Sequence, residues 1–320
     1  MIKRQFSLIL IQRTIQISNI CSQLANGLPI SSVAHEQVSP VLIIGSGRSG
    51  NTLLRSMLIS GKIAAIPPES YVWPKLIQKF TYLRFMRWER ICEEVLSTFC
   101  SHPGSVYWEI DWDMVLADTK TISSSNRSLA AILDKIYIEY SRKFPTVARW
   151  GEKTPLNTLY LPVIYKIFPN SQYIHIIRDP RAVAHSYVKA SRYNSYISEN
   201  SYQKAAKRWA LSVKNANFIK TRVSPSCFHE IRYEDLINNT ITTLESLCSF
   251  LGTKFHTNLL DFYETSSALG DVPRYAHHAK VSEPLDNTRV ARWGKEISHR
   301  DTEKVNRICR KFMEQYGYAP

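Results

Sequence analysis

Residues 40–60 read PVLIIGSGRSGNTLLRSMLIS. Val41-Leu42-Ile43-Ile44 is a short apolar run, partly β-branched, of the kind that forms a buried parallel strand. Gly45-Ser46-Gly47-Arg48-Ser49-Gly50 interrupts it, and from Asn51 a helical pattern places Leu53, Leu54, Met57 and Leu58 on one apolar face. A strand, a glycine-rich loop and a helix in that order aim free backbone N–H groups and a positive helix end at an anion, most often a phosphate. The bland alternative, a glycine turn without a ligand, has to explain why strand, glycines, hydroxyl residues and helix all agree.

Gly45, Gly50 and Thr52 fall on the spacing of a Walker A loop, but Asn51 stands at the lysine position. That lysine normally reaches the β- and γ-phosphates of a nucleoside triphosphate. Its absence, with Arg48 inside the loop, argues against ATP or GTP hydrolysis. The pattern fits a ligand whose single 5′-phosphate carries something other than a phosphate chain.

Working outward, the 320 residues are 44% hydrophobic and 21% charged, ordinary material for a substantial core. A formal charge of +14 favours polyanionic ligands: nucleic acid, a highly charged nucleotide cofactor or an anionic membrane surface. Nothing resembles a zinc finger or an aromatic RNA-binding signature, so nucleic acid is not expected. Cys21, Cys92, Cys100, Cys227, Cys248 and Cys309 are scattered, without a C-x-x-C pair or companion histidines at metal spacing. Reduced, mostly buried thiols and no metal are the expectation.

Residues 1–37 lie outside the core pattern. The apolar stretch Phe6–Ile11 is too short to span a membrane and is followed by no small-residue cleavage site. With Lys3, Arg4 and Arg13 and no acidic residue before Glu36, the segment resembles a transit peptide or a basic amphipathic leader. The expectation is a flexible leader over 1–37 and one domain over 38–320. Location is expected to be cytoplasmic, with organellar targeting by the leader as the alternative.

Beyond the loop, Ala64-Ala65-Ile66 reads as a second strand ending at Pro67-Pro68-Glu69-Ser70-Tyr71. A long aromatic and basic helical region follows from Val72 to about Phe99, core by default, and His102-Pro103-Gly104 breaks it. Helical patterns return over Leu129–Phe144, Asn157–Phe168, Tyr202–Lys220, Thr240–Leu251 and Asp301–Tyr316. Between them Arg149–Pro155 reads as a strand end, Tyr173–Ile177 as the clearest later strand, and Cys227–Arg232 as the last strand. Pro180 suits the first turn of a helix through Ala182, Val183 and Ser186. Strands alternating with helices predict an α/β fold, a P-loop-like three-layer sandwich with a mainly parallel central sheet and helices on both faces.

Ligands in such sheets sit beyond the carboxyl ends of the strands. Four such ends carry the loop with Arg48, then Glu69, Lys153, and Arg178 with Ser186. Singly, Glu69 reads as a helix-start carboxylate, Lys153 as a partner of Glu152, and Arg178-Asp179 as a surface ion pair. Together, beside an anion loop, they point to chemistry.

Here the chain resembles the sulfotransferases that use 3′-phosphoadenosine 5′-phosphosulfate (PAPS). Arg48-Ser49-Gly50-Asn51-Thr52-Leu53-Leu54 is similar to that family's 5′-phosphosulfate loop. Arg178-Asp179-Pro180-Arg181-Ala182-Val183-Ala184-His185-Ser186 is similar to its 3′-phosphate motif. Glu152-Lys153-Thr154-Pro155, Arg232–Leu236, Arg292–Lys295 and Gly317–Pro320 resemble the tyrosylprotein-type branch and its bacterial relatives. The likeness runs from about Pro40 to Pro320. It departs at Asn51, usually a small hydroxyl residue, at Tyr71, where the tyrosylprotein enzymes have a second active-site arginine, and at Glu283, where they have a lysine. The departures bear on the acceptor more than on the cofactor.

The resemblance implies in-line transfer of a sulfuryl group from PAPS to an acceptor hydroxyl. Glu69 would be the general base, with Arg48 and Lys153 stabilising charge on the sulfuryl and departing phosphate oxygens. Ser49, Gly50, Asn51 and Thr52 would hold the 5′-phosphate, Arg178 and Ser186 the 3′-phosphate, and Tyr233 the nucleotide. Lys280, Arg289 and Arg292 are further candidates for phosphate contacts. A peptide tyrosine, a carbohydrate, a lipid or a small alcohol all suit as acceptor, and a homodimer is compatible with the chain. Two readings compete: a P-loop nucleotide kinase or NTPase, disfavoured by Asn51, and a non-catalytic basic binding protein.

Overall fold

The structure, a computed structural model, describes residues 27–31, 39–147, 149–191, 200–269, 271–272, 279–287, 290 and 292–319. In chain order the strands are β1 (Val41–Ile44), β2 (Gly151–Glu152), β3 (Gln172–Ile177) and β4 (Phe228–Arg232). Between β1 and β2 come the helices α1 (Asn51–Ser60), α2 (Trp73–Leu83), α3 (Trp88–Cys100), α4 (Trp112–Lys120) and α5 (Leu129–Ser141). The short α6 (Leu161–Ile164) leads to β3, and α7 (Pro180–Ser191) and α8 (Tyr202–Lys220) lie between β3 and β4. After β4 come α9 (Tyr233–Asn238), α10 (Thr240–Phe250), α11 (Phe262–Thr265) and α12 (His299–Gln315). The sheet has the order β2-β1-β3-β4, with β1 parallel to β2 and β3 parallel to β4. This is the α/β architecture expected from the alternation of strands and helices.

The chain divides into two compact units, and the division falls inside β1. The first unit comprises 1–42 and 62–172, the second 43–61 and 173–320. In the first unit, Val41 pairs with Gly151 and Leu42 with Glu152. Its core is aromatic: Tyr137 of α5 lies 4.5 Å from Trp150, 5.1 Å from Trp108 and 5.8 Å from Trp73, centroid to centroid. Trp73, Phe80, Trp88 and Phe99 are buried, as the default reading of the long aromatic region has it, whereas Tyr82 and Phe85 of the same region are exposed. That region is two helices instead of one. A turn closed by Arg84 N–H to Phe80 O and Met86 N–H to Leu83 O separates α2 from α3 without a glycine or proline to announce it.

Ala64–Ile66 is not a full strand, since only Ala65 bridges to Trp150. The helix expected over Asn157–Phe168 is a 3-10 turn, Pro155–Tyr160, running into the one-turn α6. Prolines near the start of each piece fit this broken form. In the second unit, α7, α8 and α12 pack Val183, Trp209, Val213, Cys309 and Met313 against Ile177 of β3. Full burial of these side chains contributes roughly 1.5–3 kcal/mol each before chain entropy is subtracted.

Candidate active site

In the second unit the loop after β1 is held open by backbone conformations that side chains rarely adopt. Gly45 and Gly50 have φ of 153° and 100°, and Arg48, which is not a glycine, has φ of 71°. A Cβ on Gly50 would meet the Tyr233 ring at 2.5 Å, and one on Gly45 would meet the Ile176 carbonyl oxygen at 2.4 Å. Asn51 does not reach outward as a Walker lysine does. Its Nδ2 donates to the Ser46 carbonyl at 2.8 Å, and the Ser49 N–H donates to the same oxygen at 3.2 Å. Both contacts close the loop on itself. α1 begins here with neither a capping side chain nor an acid in its first turn, so its positive end is left for an anion.

The hydroxyl oxygens of Ser46 and Ser49 are buried without a protein hydrogen-bond partner, as is Nε of Arg178. Buried polar atoms of this kind need explanation, and an anionic ligand in the cradle supplies one. The second motif comes to the same place. Arg48 Nε donates to Ser186 Oγ at 3.0 Å, and Arg178 Nη1 donates to the Arg48 carbonyl at 3.3 Å. Tyr233, the first residue of α9, lies under the Arg178 guanidinium at 4.2 Å. Arg48, Ser49, Gly50, Asn51, Thr52, Arg178, Ser186 and Tyr233 thus belong to one cluster of the second unit.

Supporting contacts hold that cluster from behind. Trp209 Nε1 donates to the Arg178 carbonyl at 2.9 Å. Glu234 accepts the Asp179 N–H at 3.0 Å and the Tyr318 hydroxyl at 2.7 Å. Asp179 pairs with Arg181 at 2.7 Å, and not with Arg178 as a simple ion pair of neighbours would have it. Arg181 lies 4.6 Å over the Trp293 ring. The roles of Glu234 and Tyr318 are hidden in the sequence, where they stand far from the residues they hold. Lys280, Arg289 and Arg292 fall outside the described side chains.

In the first unit, the turn after Ala65 carries Glu69 and β2 delivers Lys153. Lys153, 1% exposed, donates to Glu69 Oε1 at 2.5 Å. Beside the bland reading of Lys153 as a partner of Glu152, the structure places its ammonium on Glu69. Ser70 N–H donates to Thr154 Oγ1 at 3.2 Å, and Glu152 Oε2 accepts the Thr154 N–H at 3.1 Å. Burial pushes the Glu152 carboxyl up to about 7, against hydrogen bonds from Thr154 that lower it. Tyr71, at the position of the tyrosylprotein enzymes' second arginine, has φ of 54° and is 45% exposed. Its hydroxyl donates to Glu69 Oε2, and its ring lies 5.6 Å from His102. His102 Nδ1 accepts the Gly104 N–H at 3.0 Å, and burial lowers its pKa, so a neutral ring faces Tyr71. A strained tyrosine on a carboxylate is the sort of local cost that collects at working sites.

Among the described residues no group of His, Cys, Asp and Glu is placed to hold a metal ion. No helix among them is long and apolar enough to cross a membrane. Cys92, Cys100, Cys227, Cys248 and Cys309 are free thiols, and Cys21 lies outside the described residues.

Comparison with known proteins gives the class to which this α/β chain belongs. Residues 40–257 match the Sulfotransferase family, and the chain belongs to that family. It is a sulfotransferase. A putative protein-tyrosine sulfotransferase of Caenorhabditis briggsae is 22% identical over 279 residues, 87% of this chain and 88% of that protein. Protein-tyrosine sulfotransferase 1 of Homo sapiens is 22% identical over 289 residues, 89% of this chain and 71% of that protein. The sulfotransferase domain of the Synechococcus PCC 7002 olefin synthase shares the fold with a TM-score of 0.60 at 22% identity, covering 88% of this chain and 98% of that one.

Proposed function

We propose that the protein moves the sulfuryl group of PAPS to an acceptor hydroxyl, with residues 38–320 acting as one catalytic domain. The observation that carries this reading is the meeting of Arg48, Arg178 and Ser186 at the glycine loop. A 5′-phosphate needs the loop alone; a second cationic and hydroxyl pair beside it suits a nucleotide phosphorylated at both 5′ and 3′ positions. PAPS supplies the activated sulfuryl group when bound.

The residues then divide the work. The N–H groups at the start of α1, with the Ser49 and Thr52 hydroxyls, hold the 5′-phosphate, while Gly50 supplies the left-handed turn into the helix and Asn51 ties the loop to the Ser46 carbonyl. Arg178 and Ser186 hold the 3′-phosphate, and Tyr233 supports Arg178 and the nucleotide. Glu69 takes the acceptor's proton as the acceptor oxygen bonds to sulfur. Bound PAPS would supply the sulfuryl group and the phosphate oxygen that would depart with the bonding electron pair. Arg48 and Lys153 stabilise the charge that develops on the sulfuryl and bridging oxygens. Since the relatives named above are protein-tyrosine sulfotransferases, a peptide tyrosine is the first acceptor to try.

Labelled sulfate offered as PAPS to tyrosine peptides, sugars and small alcohols tests the reading. Transfer is expected, with Glu69→Ala lowering it about 10²–10⁴-fold, the range for loss of a general base. Arg48→Ala is expected to cost about 3 kcal/mol of transition-state stabilisation. Tight binding of adenosine 3′,5′-bisphosphate without transfer to any acceptor would count against it, and magnesium-dependent ATP turnover would favour the kinase alternative.

A further inference from the structure

β2 ends on three consecutive buried side chains, Glu152, Lys153 and Thr154. Only Lys153 has a part in the proposed transfer, yet the costly residue is Glu152, a carboxylate 5% exposed. Its surroundings show what it does. Glu152 Oε2 accepts the Thr154 N–H at 3.1 Å, which folds the backbone tightly around Lys153. Thr154 Oγ1 accepts the Ser70 N–H at 3.2 Å, and Lys153 donates to Glu69 Oε1 at 2.5 Å. Two adjacent residues of one turn are therefore fastened to two adjacent residues of another. The group that fixes the turn carrying Lys153 and Thr154 is the Glu152 carboxylate.

We propose that Glu152 is a positioning residue for sulfuryl transfer, acting as a carboxylate through the Lys153-Thr154 backbone and the Thr154 hydroxyl to hold Glu69 and Lys153 in register. The inference rests on the roles proposed above for Glu69 and Lys153. A charged acceptor grips an N–H more firmly than a neutral one. The titratable groups around Glu152 are Glu69 on the facing turn, Tyr137 of α5, and Lys153 next in the chain. Burial, with a smaller push from the Glu69 charge, brings its carboxyl up to about 7, against the Thr154 hydrogen bonds. The grip therefore tightens as pH rises through neutrality.

The full chain and its Glu152→Gln, Thr154→Val and Thr154→Ser variants provide the test. Carboxyl NMR of glutamate-labelled protein needs no turnover: one resonance titrating near pH 7 is expected in the wild type and absent from Glu152→Gln. With labelled PAPS and a tyrosine peptide, wild-type kcat should rise through about the same pH. Glu152→Gln should lose that rise, and above neutrality its kcat should fall on the order of tenfold, as loss of charge from one hydrogen bond does. Its KM for PAPS and its affinity for adenosine 3′,5′-bisphosphate should stay within about twofold, the mark of a residue acting on the transition state. Thr154→Val should lower kcat similarly and Thr154→Ser should restore it. A Gln variant with unaltered kcat and pH profile overturns the inference while leaving the reaction standing. A wild type that transfers sulfate to no acceptor overturns the proposed reaction and this inference together.

Discussion

Gly50 shows at a single position how backbone, glycine loop and packing meet. Its φ of 100° belongs to the region in which a side chain is strained, and a Cβ there would strike the Tyr233 ring. That ring is also the platform for Arg178. Gly50→Ala must therefore distort the loop or push the ring and its arginine aside. Binding of adenosine 3′,5′-bisphosphate, followed by calorimetry, is expected to weaken at least about tenfold, with one strained backbone position and a displaced cation each contributing a kcal/mol or more. Far-ultraviolet circular dichroism should be unchanged, because the glycine precedes the helix. Asn51 makes the complementary point. Its amide serves the loop's own geometry, so a lysine is missing from the phosphate side without leaving the fold short of a contact.

Elements are held by polar networks as well as by their apolar faces. Glu230 of β4 accepts hydrogen bonds from His175 of β3 at 3.2 Å, from Tyr316 at the end of α12 at 2.6 Å, and from Lys220 of α8. Burial alone would push the Glu230 carboxyl up; these donors outweigh it and hold it at about 2, below its ordinary 4.5. With the folded value depressed, the contribution is complete above about pH 4.5 and is lost as pH falls towards 2. After allowance for solvent screening it is on the order of 2 kcal/mol. Urea midpoints at pH 6 and pH 3 should show the loss in the wild type and much less of it in Glu230→Gln. Much at this scale is legible in the sequence. The helix Tyr202–Lys220 has the bounds expected, since Ser201 caps it through the Lys204 N–H and its buried positions recur with helical spacing. Pro180 and Gly317 mark a helix start and a helix end as expected. α4 is not legible because only Val115 and Thr119 are buried along it, leaving little periodicity, although Asp111 caps it. Strand-end residues of the site can be picked out because topology gathers strand ends. The Thr154–Ser70 and Glu234–Tyr318 bonds cannot, because each joins residues 84 apart in sequence.

Over the whole molecule, the second unit is assembled from two stretches widely separated in sequence, 43–61 and 173–320. Arg55 of α1 and Asp271 join them by a fully buried ion pair at 2.6 Å. Asp271→Ala removes a buried carboxylate that pairs with the Arg55 guanidinium, and should lower stability by about 3–5 kcal/mol in urea unfolding. Arg90→Ala, which breaks a pair on an exposed face of α3, should cost less than about 1 kcal/mol. The division inside β1 has a further consequence for how the protein is made. As the chain leaves the ribosome, the glycine loop and α1 emerge before Lys62–Gln172, and β3, α7 and Asp271 only after it. At roughly 5–20 residues per second, α1 waits on the order of 10–40 seconds for its native partners near Asp271. Throughout that interval the nascent chain carries an incomplete second unit, so a chaperone that shields α1 during synthesis should raise the yield of active protein more than one added after release.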